Sequence, residues 1–175
     1  MGKGTSQKPL KREFSAGGVV FKKNGNTLVW LITQHNPSER IPKPIWRLPK
    51  GWIDNKSEDS PGEVASGIRR GSEDEIRKAA LREVREEGGV EARIEQKLGT
   101  IKLFFTLNGE RILKFVTFYL MRWTKDLRQG YGDETQSIEW LPFEEAYKKL
   151  EYSSEKAVLK KANETVGRGV QENLL

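Results

Sequence analysis

The chain has no cysteine, which excludes disulfide frameworks, thiolate metal sites and cysteine nucleophiles. It has no run of about 18 apolar residues, so no segment reads as a membrane-spanning helix. The leading stretch MGKGTSQKPLKRE lacks an apolar core and is not a secretory signal; the expected location is the cytoplasm. Gly2 and Ser6 fit the loose myristoylation pattern beside Lys3, Lys8, Lys11 and Arg12, although a plain leader is the simpler reading.

What is present suits one globular domain. With 175 residues, 35% of them hydrophobic, and 17 glycines, the chain can bury a core without metal or disulfide staples. Its net charge of +6 suits a polyanionic partner or substrate, a value that many ordinary solvated surfaces also reach. Residues 1–12 read as a disordered basic tail, 13–165 as the domain, and 166–175 as a frayed end.

Phe14–Lys23 and Thr27–Gln34 read as a hairpin turning at Asn24-Gly25-Asn26. Prolines 37, 42 and 44 place 36–45 in a loop, since proline gives no ladder donor. Trp46–Ile53 (WRLPKGWI) is a short extended piece, and 54–71 is a long polar loop with room for one helical turn. A helix then begins at a Ser72/Glu75 capping box, buries Ile76, Ala80 and Val84 as a stripe, and stops at Gly88-Gly89. Strands follow at 93–106 and 111–123, joined at Asn108-Gly109, with a short strand at 137–141 and helices at 143–150 and 154–165. The order predicts an α/β fold without internal repeats.

The helix carries the chemistry. Glu83, Glu86 and Glu87 stand at i, i+3 and i+4 near its carboxyl end, on one face. The helix dipole there is negative, so stacked carboxylates repel unless something positive compensates. Hard oxygen ligands at this density suit Mg²⁺ or Mn²⁺. Taken alone, the triplet reads equally well as a solvated acidic face stabilised by Arg82 and Arg85.

Arg82-Glu83-Val84-Arg85-Glu86-Glu87-Gly88-Gly89-Val90 matches the second half of the Nudix box, G-x5-E-x7-R-E-U-x-E-E-x-G-U, at all its specified positions. The chain thus resembles a Nudix hydrolase. In the first half, Asp74 replaces the expected glutamate. The box glycine is best matched by Gly51 of Leu48-Pro49-Lys50-Gly51, with about 17 additional residues before Asp74. Ser15-Ala16-Gly17-Gly18-Val19-Val20-Phe21 and Trp46-x-Leu-Pro-Lys-Gly are similar to the asymmetrically cleaving diadenosine tetraphosphate hydrolases.

The resemblance implies an α/β/α sandwich with a mixed, curved sheet, and metal-dependent hydrolysis of a phosphoanhydride in a dinucleoside polyphosphate. It implies metal ligation by Glu83, Glu86, Glu87, the late acid Glu134 and the Gly51 carbonyl, with Mg²⁺ expected and Mn²⁺ an alternative. Arg82 would orient a glutamate, and Glu83 or Glu134 would take the water proton. Lys50 and Lys114 would bind unreacting phosphates as point charges. Phe118, standing where a tyrosine is usual, and Trp46 would stack a nucleobase. Trp30 is expected in the core and His35 at a solvent edge. An RNA 5′-end pyrophosphohydrolase, a nucleoside triphosphate sanitiser and a non-catalytic nucleotide- or RNA-binding module are the competing functions. Residues 54–70, too polar to add core, are expected to form a mobile flap whose Arg69-Arg70 end reaches substrate, and whose removal leaves the melting temperature unchanged.

Overall fold

The computed structural model describes residues 8–172; the Gly2/Ser6 pattern lies outside them. A seven-stranded mixed sheet runs in the order β3-β2-β1-β8-β7, formed by β1 (Lys11–Asn24), β2 (Thr27–His35), β3 (Ile45–Arg47), β7 (Val90–Leu107) and β8 (Glu110–Asp126). β4 (Lys50–Trp52) pairs with β1, and β9 (Thr135–Pro142) with β2. Only β1 and β8 pair in parallel; every other described pairing is antiparallel. Three register shifts between β7 and β8 bend that pair, since each bulge adds local twist.

Two cores occupy the two faces of the sheet. On one, Ala79, Ala80 and Val84 of α1 (Glu73–Gly88) pack with Ala16, Val20, Leu31, Tyr119 and Met121. On the other, Ala146 of α2 (Phe143–Lys149) and Val158, Leu159 and Ala162 of α3 (Ser153–Glu172) cover Val19, Phe21, Trp30, Ile32 and Phe118. The layers are therefore the expected α/β/α sandwich. The α1 boundaries follow local chemistry. Ser72 accepts from the Glu75 amide while Glu75 accepts from the Ser72 amide, and Gly89 ends the helix in the left-handed region at φ 66°.

Three boundaries differ from expectation. Lys11 and Arg12 belong to β1, not to a tail, because the parallel ladder continues to Ile112 and Leu113. α3 runs on to Glu172 where fraying was expected, because Val166 packs against the second core and no proline stops it. Most consequentially, 54–70 is not a loose flap. It forms a small hairpin of β5 (Asn55–Ser57) and β6 (Ser60–Pro61), then a turn that buries Val64 in the α1-side core and leaves Ala65 without exposure. The Asp54 carboxylate accepts from the amides of Val64 and Ala65 at 3.2 and 2.7 Å, and Phe14 donates its amide to the Ala65 carbonyl at 2.8 Å. Arg69 is held by Glu75 at 2.6 and 3.1 Å. That contact lies at the amino end of α1, roughly 12 Å along the axis from Glu83 at 1.5 Å per residue.

Replacing residues 55–70 by a short glycine-containing turn should therefore lower the melting temperature. Losing the Val64 burial costs ~2 kcal/mol, or roughly 4–8 °C for a domain of this size. Thermal denaturation followed by circular dichroism measures it; an unchanged midpoint would restore the flap.

Candidate active site

Two of the three box glutamates are drawn into the protein. Glu83 is 7% exposed and Glu87 4%, whereas the Glu86 side chain is 60% exposed and its nearest cation is Arg82 at 3.9 Å. The apolar stripe presses α1 so closely on the sheet that its carboxyl-terminal turn meets β4. A Cβ on Gly51 would lie 2.3 Å from the Glu83 carboxyl carbon, so a side chain there would have to displace that carboxylate. Arg82 donates to Glu83 at 2.8 Å and to the Trp52 and Ile53 carbonyls at 2.6 and 3.3 Å. It thereby ties the glutamate to the strand beside it. Glu87 accepts the Lys50 amide at 2.8 Å and stands 3.3 Å from His35 Nε2.

The electrostatics of this corner are unfavourable as it stands. Burial, and after it the Glu87 charge, pushes the Glu83 carboxyl up to about 7 despite Arg82. Partial desolvation and Glu87 also raise Glu134, which sits in the turn before β9 where its carbonyl accepts from Asn36. Among the described residues, no group of three or more His, Asp or Glu side chains is gathered closely enough to hold a metal as placed. Glu83 is turned to Arg82, Glu87 to Lys50 and His35, and Glu86 outward.

The opposite face of the sheet, to which Lys50 turns opposite Gly17 and beside Phe118, is basic. Lys50 is 5% exposed, and burial, with Arg47 and Lys114 nearby, holds its amine well below the usual lysine value. Lys114 is drawn down to about 8, chiefly by burial, with Arg47 and Arg40 adding to it and Glu13 opposing. The turn carrying Lys50 is anchored from behind by Glu155 of α3. Glu155 has no exposure and accepts the Leu48 amide at 2.9 Å and Arg47 nitrogens at 3.4 Å.

Gly51, Arg82, Glu83, Glu87 and Lys50 thus meet at one corner, with Glu86 and Glu134 at its rim and Lys114 further along the sheet. Phe118 must be corrected. It is fully buried, facing Gly17 from the middle of β8, where a Cβ would come within 2.9 Å of its ring. It has no free face for a base. His35 is also corrected: its side chain is 17% exposed and points at Glu87 rather than along a solvent edge. Trp46 is half-buried with the Lys149 amine 4.3 Å from its ring centre, and Trp30 lies in the core as expected. Sequence reasoning missed Glu155 and Glu13. Glu155 on an amphipathic helix looks like any solvated acid. Glu13 carried a usable signal, the period-2 alternation with Ser15, Gly17 and Val19.

A helix that delivers clustered carboxylates to a glycine turn, facing buried amines on a mixed sheet, defines a candidate site for polyanions and divalent cations. The chain belongs to the NUDIX domain family, whose match covers residues 11–162. A Mycobacterium tuberculosis protein that carries the name mutator protein MutT4 is 28% identical over 167 residues, 95% of this chain. This chain spans 60% of the length of that curated relative. Among solved structures, a Caenorhabditis elegans Ap4A hydrolase in a binary complex has TM-score 0.60 at 21% identity, covering 89% of this chain and 98% of its own. A Nitrosomonas europaea NUDIX hydrolase reaches TM-score 0.62 at 16% identity, covering 89% and 90%. The NUDIX domain of Shewanella oneidensis NrtR, complexed with ADP ribose, has TM-score 0.58 at 17% identity, covering 89% and 88%. These likenesses show the shared fold.

Glu155→Ala should strand the Leu48 amide and leave Arg47 uncompensated, costing about 3 kcal/mol and on the order of 10 °C in Tm. Glu155→Gln, which keeps an oxygen for Leu48, should recover part of that loss. Equal melting temperatures for all three proteins would remove Glu155 as the anchor of this turn.

Proposed function

We propose that the protein is a divalent-metal-dependent pyrophosphohydrolase acting on a dinucleoside polyphosphate, of which diadenosine tetraphosphate is the type. The observation that carries the reading is the buried Glu83 carboxylate against Gly51 and near the buried Glu87, whose charge Arg82 leaves under-compensated. Such oxygen donors fit Mg²⁺ or Mn²⁺, and Glu83, Glu86, Glu87, Glu134 and the Gly51 carbonyl are the residues that would hold it. When bound, a divalent ion supplies neutralisation of the phosphoryl charge and a more acidic water.

The remaining work falls to the chain itself. Arg82 keeps the Glu83 carboxylate pointed into the corner. Lys50 and Lys114 bind the phosphates that do not react. Their desolvated amines strengthen each contact, since charge interacts more strongly away from water. Glu83 or Glu134 accepts the proton of the attacking water. Trp46, at the edge of the Lys50 turn, offers a base its partly open ring once Lys149 moves aside. The net charge of +6 favours the encounter with a polyphosphate. The Ap4A and ADP-ribose named for the solved neighbours both carry a nucleotide phosphoanhydride, the broader class to which this substrate belongs.

Product analysis on dinucleoside polyphosphates, nucleoside triphosphates and 5′-triphosphorylated RNA, with Mg²⁺ and with chelator, tests the reading. Metal-dependent cleavage fastest on the dinucleoside polyphosphates is expected; turnover of none of them, or equal rates in chelator, would overturn it. Glu86→Gln and Glu87→Gln should each lower turnover by ~10²-fold or more, several kcal/mol of lost charge stabilisation, with the fold intact. In chelator, Glu87→Gln should melt no lower than the parent, because it removes one of two buried like charges. Near-normal Mg²⁺-dependent rates for Glu87→Gln would refute the metal assignment.

A further inference from the structure

The β1 face that places Gly17 opposite Lys50 continues through Ser15, opposite Trp52, to Glu13, opposite Lys114. Glu13 stands about 13 Å along the strand from Gly17, at ~3.3 Å per residue. Its carboxylate is 6% exposed. It accepts from both Arg40 terminal nitrogens at 2.9 and 3.0 Å and from Trp52 Nε1 at 3.2 Å, with Lys114 Nζ at 4.0 Å. The Arg40 guanidinium carbon lies 5.5 Å from the Trp52 ring centre and 5.9 Å from that of Phe105. A planar donor pair is thus held end-on by a carboxylate, with two aromatic rings within 6 Å of it.

The two sides of this contact are unequally fastened. Glu13 belongs to a central strand and has Trp52 and Lys114 as partners besides Arg40. Arg40 comes from the proline-rich segment between β2 and β3, and its side chain is 35% exposed. The carboxylate is thus fixed by the sheet, and the guanidinium reaches it from a segment outside the sheet.

Among the nucleobases, guanine offers the same pattern. Its N1–H and N2–H point in parallel from either side of one carbon, as the two N–H groups at the end of a guanidinium do, and a carboxylate takes both. Adenine, cytosine and uracil each set at least one lone pair against that carboxylate. Trp52 and Phe105 are rings on which a base can stack.

We propose that Glu13, Trp52 and Phe105 form a nucleobase slot selective for guanine, filled by the Arg40 side chain here and by the base of a guanine-containing polyphosphate in the complex. The phosphates then run past Lys114 and Lys50 toward Glu83. This rests on the nucleotide reading above and refines it, making guanine rather than adenine the base that is read.

Equilibrium binding of GTP, ITP and ATP in chelator reads the slot without turnover, so failure of the catalytic reading leaves this test standing. The expected order is GTP, then ITP, which lacks the 2-amino group, then ATP. GTP should bind ~10-fold or more tighter than ATP. Glu13→Gln should bring GTP and ATP within about twofold, and Arg40→Ala should tighten GTP severalfold by removing the competitor. Phe105→Ala, at a partly exposed position, should weaken GTP severalfold and carries the test if Glu13→Gln does not fold. Equal affinity for the three nucleotides overturns the slot, as does an unchanged preference in a folded Glu13→Gln protein. An Arg40→Ala variant that weakens GTP and ATP alike makes Arg40 a phosphate contact and overturns the exchange.

Discussion

Carboxylates taken out of water must find donors or shed their charge, and much of this architecture follows from how three buried sites meet that demand. Glu155 receives a backbone amide and a guanidinium, and the result is a rigid anchor beneath the Leu48–Gly51 turn. Glu13 receives Arg40 and Trp52 directly, with Lys114 nearby. Burial pushes its pKa up, but these partners outweigh that and hold it below the usual carboxylate range. Glu83, with the Glu87 charge near it, is matched less well, and the shortfall shows as a carboxyl pushed up to about 7. Donors complete the structure where they suffice; where they fall short, an external cation has a reason to bind.

That shortfall depends on packing far from any charge. Val84 presses α1 onto β1, and a Cβ at Gly18 would come within 2.6 Å of its methyl. The helix lies close enough for Glu83 to touch Gly51 because small residues face it at both points. The inserted segment belongs to the same arrangement. Its Val64 extends the α1-side core, Ala65 is buried beside it, and Asp54 closes the turn that brings them there. A stretch that is polar in composition is structural because two of its residues are buried.

The basic end of the sheet shows the complementary logic. Lys50 and Lys114 are buried amines held below their normal basicity, chiefly by desolvation. Their mutual repulsion is tolerated because Glu13 and Glu155 stand nearby and the scaffold leaves the chains no other place. Glu83 and Gly51 lie on the α1 side of the sheet and the amines on the other, and the two meet across β4, where Glu87 accepts the Lys50 amide.

The sequence by itself determined whatever depends on neighbours a few residues away. The Ser72/Glu75 box, the Gly89 stop, the Asn-Gly turns and the apolar stripe of α1 are all local, and all lie where the spacing put them. So was the Nudix box, since i, i+3 and i+4 place its glutamates on one helical face. Which glutamates would be buried was not local: Glu83 and Glu87 meet β4 while Glu86 meets water, because the sheet lies on one side of the helix only. Phe118 looked available for a base until pairing set β8 between β1 and β7, with both faces covered. His35, Glu13 and Glu155 acquired their partners the same way, from strands and helices distant in the chain. Periodicity decides which way a side chain points along its own element. Only the tertiary pairing decides what stands opposite, and burial and charge compensation are set by what stands opposite.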